Sequence, residues 1–316
     1  MLYKKTSHKL MLLALVLATS TVAVAQRRPS GASGREMTIP VTVHPHNERT
    51  RQAAQSLGPD DFAVRENRRL QRIISVKRPQ EAPLQLAVLI QDDLISGVNN
   101  ERSRIQEFIR QLPDGSRVLT GYLTVGSLRV AEDFTTDRDR AARSLRVIKS
   151  TTDAAPFNPY IEVIEALRRF DSLPSGKRAI LLISDGLDAS RGLRSASPSQ
   201  SVDLDRAISE AQRRGVAVFA FYAPSVGFTN ESRIAANYGQ GSLNRIAGET
   251  GGEAFFAGNT FVSFDPYFKE LEEALGNLWL VTYESTTPGS SFRRIEVTSE
   301  PEVHLHHPAG YRPKGK

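Results

Sequence analysis

The stretch VLIQDDLISGV (Val88–Val98) runs from an apolar segment straight into two carboxylates, Asp92 and Asp93, with Ser96 just beyond. A second apolar segment, AILLIS, ends at Asp185. Carboxylates gathered on one edge repel one another, and a divalent cation or a proton relieves the repulsion. Hard oxygen donors of this kind favour Mg2+, Mn2+ or Ca2+ over zinc. The same acids admit two further readings. One is a metal-dependent hydrolase working from Asp92, Asp93 and Asp185; the other is a residual acidic edge, partly solvated or paired with arginine. Neighbouring residues of a strand point to opposite sides, so Asp92 and Asp93 are poorly disposed to act together as acid and base.

The histidines lie elsewhere. His44 and His46 fall in VTVHPH, and His304, His306 and His307 in VHLHH. Spacing of two puts each pair on one face of a strand. If the two strands pair, the imidazoles can gather round a transition metal, although Pro45 disturbs the first strand and surface histidines are common in β tails. Nucleophilic catalysis finds no support, because no histidine neighbours Ser96, Ser184 or Ser242. The chain has neither a G-x-S-x-G elbow nor a phosphate-binding G-x-x-x-x-G-K-[ST] loop, and GQGS and GETGG read as helix caps.

The elements that must position these residues follow from periodicity. MTIPVTV, FAVRE and RIISVKR alternate as short strands. From Glu81 onward, buried strands alternate with helical stripes. LQLAVLI, KRAILLIS, VAVFAFYA and LWLVTYES are the apolar runs of core strands, and SRVLTGYLT with SLRVAEDF makes a strand pair. Helices are expected at Ile105–Leu112, in DRDRAARSLRVIK, at Ile161–Leu167, at Leu204–Ala211, a short one in SLNRIAGETGG, and at Phe264–Leu278 with Asp265 as N-cap. The pattern predicts an α/β fold, doubly wound, with a mostly parallel sheet and helices on both faces. The terminal β segments are expected to pair into a small β module.

Taken with LLISDG and LNRIAGETGGEAF, the strand ending in Asp resembles a von Willebrand factor A domain. Domains of that family carry a metal-ion-dependent adhesion site, Asp-x-Ser-x-Ser, with a Thr from a second loop and an Asp from a third. The flanks LGPDDFAVRENRRLQRIISVKRP, FRRIEV and HHPAGYRP resemble bacterial von Willebrand factor A-related proteins of the kind abundant in acidobacteria. Their layout is a signal peptide, a DF-x-V-x-E-D-G-x-x-Q-x-I segment, the A-like domain and a terminal R-x-G-Y. The likeness spans most of residues 36–313.

The metal motif departs from that pattern. With Asp92 first, Leu94 stands where the first serine belongs and Ser96 takes the second position; with Gln91 first, Asp93 and Ile95 take the serine positions. Phe157 or a neighbour stands where the threonine belongs, while Asp185 fits its place. The residues left to hold Mg2+, Mn2+ or Ca2+ are Asp92, Asp93, Ser96 and Asp185, and the resemblance implies a degenerate site with weakened or lost metal dependence. Recognition would then rest on loops. Those at 92–100, 151–159, 186–201 and 224–240 offer Phe157, Tyr160, Phe228 and Tyr238 as aromatic anchors for a protein partner.

Composition bounds the rest. Lys4, Lys5 and Lys9 precede an apolar segment ending at Ala23-Val24-Ala25, which reads as a cleaved signal peptide over residues 1–25. Residues 26–36 then form a flexible linker, 37–80 an N-terminal β segment, 81–285 the A-like domain and 286–316 a C-terminal β segment and tail. Without the three signal lysines the formal charge of +6 falls to +3, and no run of like charge points to nucleic acid. No membrane span is expected after signal cleavage. With no cysteine, disulfides, thiol chemistry and lipid attachment through a thiol are excluded. The expectation is an exported, periplasmic or secreted, non-enzymatic binding, adhesion or scaffolding module. A two-lobed small-ligand receptor is disfavoured because only one α/β lobe is legible.

Overall fold

The computed structural model describes residues 34–44, 48–256, 258, 261 and 263–313. The signal segment and His46 lie outside them. The chain opens with β1 (Arg35–His44), α1 (Glu48–Ser56), β2 (Phe62–Glu66) and β3 (Arg69–Lys77). Asn67 and Arg68, at φ 49° and 68°, turn β2 back onto β3, the pair of left-handed residues that a tight hairpin of matching twist requires.

Eleven strands and α-helices follow in the interior of the chain. They run β4 (Leu84–Gln91), α2 (Arg102–Gln111), β5 (Arg117–Thr124), β6 (Ser127–Thr135), α3 (Arg138–Arg143), α4 (Pro159–Arg169), β7 (Lys177–Ser184), α5 (Val202–Arg214), β8 (Val216–Tyr222), α6 (Phe228–Glu231) and α7 (Arg233–Thr250). After them come β9 (Ala254–Phe255) and α8 (Asp265–Gly276). These strands form a six-stranded sheet in the order β6-β5-β4-β7-β8-β9, parallel throughout except for β6 at the edge. Every residue of β4 and β8 is buried. On one face the sheet packs against Ile105 and Phe108 of α2 and Phe268 and Leu271 of α8; on the other it meets Val163 and Leu167 of α4, Leu204 of α5 and Leu243 of α7. Burial on both faces is why these strands read as unbroken apolar runs rather than as alternation.

The chain closes with β10 (Leu278–Ser285), β11 (Arg293–Ser299), β12 (His304–His306) and β13 (Gly310–Tyr311). A seven-stranded antiparallel sheet, β12-β1-β10-β3-β2-β11-β13, gathers strands from both ends of the chain. Two expectations are corrected here. LWLVTYES is not the last strand of the parallel sheet but lies between β1 and β3. Its apolar run arises because Leu278 enters the α/β core while Trp279, Val281 and Tyr283 face the antiparallel core. Nor is the β module small, since it outnumbers the parallel sheet by a strand.

Helix limits also differ. α1 lies where only strands were expected, and α3 ends at Arg143, so residues 144–150 form a loop. α7 starts at Arg233 and absorbs much of the expected loop at 224–240 as well as the GQGS glycines. Phe264, not Asp265, is the N-cap of α8. Among the described residues no helix is long and apolar enough to cross a membrane.

The conspicuous flanking motifs meet in one buried network. Glu66, fully buried, accepts from Tyr283 Oη (3.0 Å), Tyr311 Oη (3.2 Å) and Ser285 Oγ (2.9 Å). Arg293 Nη1 lies 3.5 Å from Glu66 Oε1 and donates to Ser285 Oγ (2.6 Å) and Tyr311 Oη (2.9 Å). Burial raises both phenols above their ordinary range, so each acts as a neutral donor. The network joins β2, β10, β11 and β13. Replacing one partner of a buried ion pair strands the other, so Glu66→Ala is expected to lower unfolding stability by about 3–5 kcal/mol in urea titration, and Glu66→Gln by less.

Candidate functional site

The three acids part company at the carboxyl ends of β4 and β7. The pleat sends Asp92 to one side and Gln91 and Asp93 to the other. Asp92 is fully buried and takes a bidentate pair from Arg146, Nη1–Oδ1 2.7 Å and Nη2–Oδ2 2.9 Å, plus the Lys149 amide at 3.1 Å. The guanidinium lies 3.9 Å from the centre of the Tyr122 ring, whose hydroxyl accepts from the Arg146 amide at 2.6 Å. Its hydrogen bonds to Asp92 push the guanidinium pKa up further. The charge of Asp92 is thus matched by a cation from the chain itself, the geometry in which arginine serves best.

Asp93 and Asp185 face each other across a ring of neutral donors. Gln91 Nε2 donates to Asp93 Oδ1 (2.8 Å), and Gln91 Oε1 accepts from the Ser184 hydroxyl and from the Asp185 amide (3.2 Å). Asp185 Oδ1 accepts from the Leu187 amide (3.1 Å) and Oδ2 from Thr229 Oγ1 (3.1 Å), which is itself held by Ser225. Burial first, then the charge of Asp185, pushes the Asp93 carboxyl up to about 7. Burial likewise raises Asp185. Burial thus favours the protonated form of each carboxyl over that of a free aspartate. Close packing keeps Asp185 in place: a Cβ on Gly239 of α7 would stand 1.9 Å from the Asp185 carbonyl oxygen.

A cleft of about 500 Å³ opens above Asp93 and Asp185, walled by Thr152, Phe157, Ser225 and Phe228. Phe157 is 53% exposed and Phe228 49%. Phe157 adopts φ 57°, unusual for a bulky residue. Its carbonyl accepts from the Ala189 amide at 2.7 Å, which ties this loop to the one after β7. The other expected anchors do not reach the cleft. Tyr160 is fully buried and donates to the Gly186 carbonyl at 2.7 Å, and Tyr238 packs on Leu187, Ala196 and Ala235. Ser96 is exposed and does not line the cleft. Asp92, closed by Arg146, does not converge with the other two acids.

These residues do not fit a five-oxygen cation site. One carboxylate is bound to arginine, the other two already accept from Gln91, Leu187 and Thr229, and Leu94 and Ile95 add no oxygen donor from their side chains. Arg146 and Thr229 went unrecognised in the sequence. Arg146 stands 54 residues from its partner in what reads as a helix, and no local signal marks it. Arg146→Ala is expected to cost about 2–3 kcal/mol in denaturant unfolding, because Asp92 stays buried while its partly exposed arginine is lost. A carboxyl raised in the folded state favours folding below its unfolded pKa, and that advantage fades as pH rises toward 7. Asp93→Asn should accordingly stabilise the protein by about 2–4 kcal/mol at pH 8 and hardly at pH 4, read from urea titrations at the two pH values.

No protein-family model and no curated protein matches the chain. Among solved structures, a von Willebrand factor type A protein from Catenulispora acidiphila aligns at 10% identity and TM-score 0.45, covering 89% of this chain and 75% of that one. An aerotolerance-related membrane protein from Bacteroides fragilis aligns at 12% and 0.43, covering 61% and 98%. The manganese-loaded TRAP protein of Plasmodium vivax aligns at 11% and 0.42, covering 80% and 100%. To each of these the chain is similar.

Proposed function

We propose that this chain is an exported, non-enzymatic protein-binding module of von Willebrand factor A-like build, serving adhesion or scaffolding without need of Mg2+, Mn2+ or Ca2+. The observation that carries the reading is the cleft over Asp93 and Asp185: two exposed phenylalanines flank it, and a third candidate metal ligand, Asp92, is bound to Arg146 instead of facing it. Exposed aromatic side chains on a rigid scaffold are the usual energetic centres of protein interfaces. Support for export is the basic-then-apolar leader ending at Ala23-Val24-Ala25. A hydrolase working from Asp92, Asp93 and Asp185 has less support, because the three acids do not share one space.

The test joins two readouts. A photoreactive amino acid at position 157, in the producing cell, should yield one discrete protein adduct that survives chelator and disappears with Phe228→Ala. Titration of the purified chain with Mg2+, Mn2+ or Ca2+ should give no heat and no change in Tm up to millimolar concentration. An adduct that forms only with one of these cations, or micromolar cation binding lost in Asp185→Ala, would overturn the reading.

A further inference from the structure

A second group of side chains of metal-ligating type lies outside the cleft over Asp93 and Asp185. β12 pairs with β1 in the register His304↔His44, Leu305↔Val43 and His306↔Thr42. In an antiparallel pair, residues directly opposite share a face, as do residues two apart along one strand. His44, His304 and His306 therefore stand on the same face of the sheet's outermost ribbon. The His44 and His306 ring centres are 4.1 Å apart, and His304 Nε2 lies 2.8 Å from His306 Nε2.

An oxygen donor comes from the segment that leads into the other sheet. Glu253 precedes β9, and its carbonyl accepts from the Ala220 amide of β8 at 2.9 Å, which fixes its position. Its Oε2 is 3.9 Å from His44 Nδ1, and ligand atoms of His44, Glu253 and His306 all lie within 4.8 Å of one another. The surroundings are anchored: Thr42 Oγ1 donates to the Gly251 carbonyl at 3.2 Å, and the Ala309 amide to the Glu249 carbonyl at 3.2 Å. A cleft of about 410 Å³ lined by Asn244, Gly248, Glu253, His304 and His306 gives access from solvent.

His307 is set apart from this group. Its Nδ1 is 3.0 Å from the Pro308 carbonyl, its Nε2 accepts from the Val297 amide at 3.4 Å, and burial lowers its pKa. Both ring nitrogens are engaged within the fold, so it is a structural pin. The other three imidazoles and the glutamate carry the donor types that zinc and copper favour over Mg2+ or Ca2+.

We propose that His44, Glu253 and His306, with His304 as fourth donor, form a binding site for a divalent transition metal ion, Zn2+ or Cu2+. Tetrahedral zinc with nitrogen and oxygen ligands at about 2.0–2.1 Å needs donor atoms about 3.3–3.4 Å apart. His304 and His306 must open slightly and the glutamate swing inward, which are side-chain adjustments on fixed backbone. Three nitrogens and one oxygen complete the shell. The ion clasps the edge strand β12 to β1 and to the parallel sheet.

Calorimetric titration of the full chain with ZnCl2 and with CuCl2 tests the site. One ion per chain is expected, bound at micromolar or tighter Kd, with Tm raised by about 5 °C or more at saturation. His306→Ala and Glu253→Gln should each weaken binding by about tenfold or more, and the double substitution His304→Ala/His306→Ala should abolish it. Circular dichroism of metal-free variants checks folding, and Glu253→Gln, a half-exposed isosteric change, keeps the test decisive should a histidine variant unfold. Failure of the wild-type chain to bind either ion below about 100 μM, or wild-type affinity in Glu253→Gln and the double variant, would overturn the proposal.

Discussion

A carboxylate withdrawn from water must find a compensating charge, and the carboxyl edge of the parallel sheet is organised by how Asp92 finds one. Arg146 supplies it bidentately, with its guanidinium laid on the Tyr122 ring and its chain held by the Tyr122 hydroxyl. That choice spends a candidate metal ligand on an internal cation. Asp93 and Asp185 are left with neutral donors, Gln91, Thr229 and a backbone amide, and burial raises both carboxyls toward protonation. Asp92 is thus balanced from within the chain by arginine.

The same closure bears on what the edge can recognise. With Asp93 and Asp185 buried, the cleft presents Phe157 and Phe228 to solvent beside the exposed Asp153 and Glu231, so it offers apolar contact with a negative rim. The loops that carry these rings are tied to the sheet edge. Phe157 is fixed by a hydrogen bond to Ala189, and the α6 turn by Thr229 bonded to Asp185. Ties of this kind reduce the backbone entropy that association must remove.

Much of the architecture was legible because alternation of apolar runs and helical stripes reports burial directly. β10 misled for the same reason: burial on two faces produces one signature whether the covering layers are helices or a second β core. Tyr160 shows a finer limit. Read with Val163, Ile164 and Leu167 it falls on the buried stripe of α4, whereas a stripe begun at Ile161 points half-outward, and Ile161 is 51% exposed. Phase within the helix, not residue type, decided which aromatic was available. The pairing of Asp92 with Arg146 was out of reach altogether, since both residues are ordinary until the fold brings them together.

The seven-stranded sheet has a kinetic meaning as well. β3 ends at Lys77 and pairs antiparallel with β10, where Leu280 stands opposite it; Thr38 of β1 meets Thr282 across 244 residues of chain. Closing so long an open loop costs about 5 kcal/mol of chain entropy before the first contact is made. The stretch from β4 to α8 carries its own sheet and its own two-sided core, and Lys77 before it stands opposite Leu280 after it. The interior half then works as an oversized folded turn, and the outer sheet zips as a hairpin whose hinge is itself a structured unit.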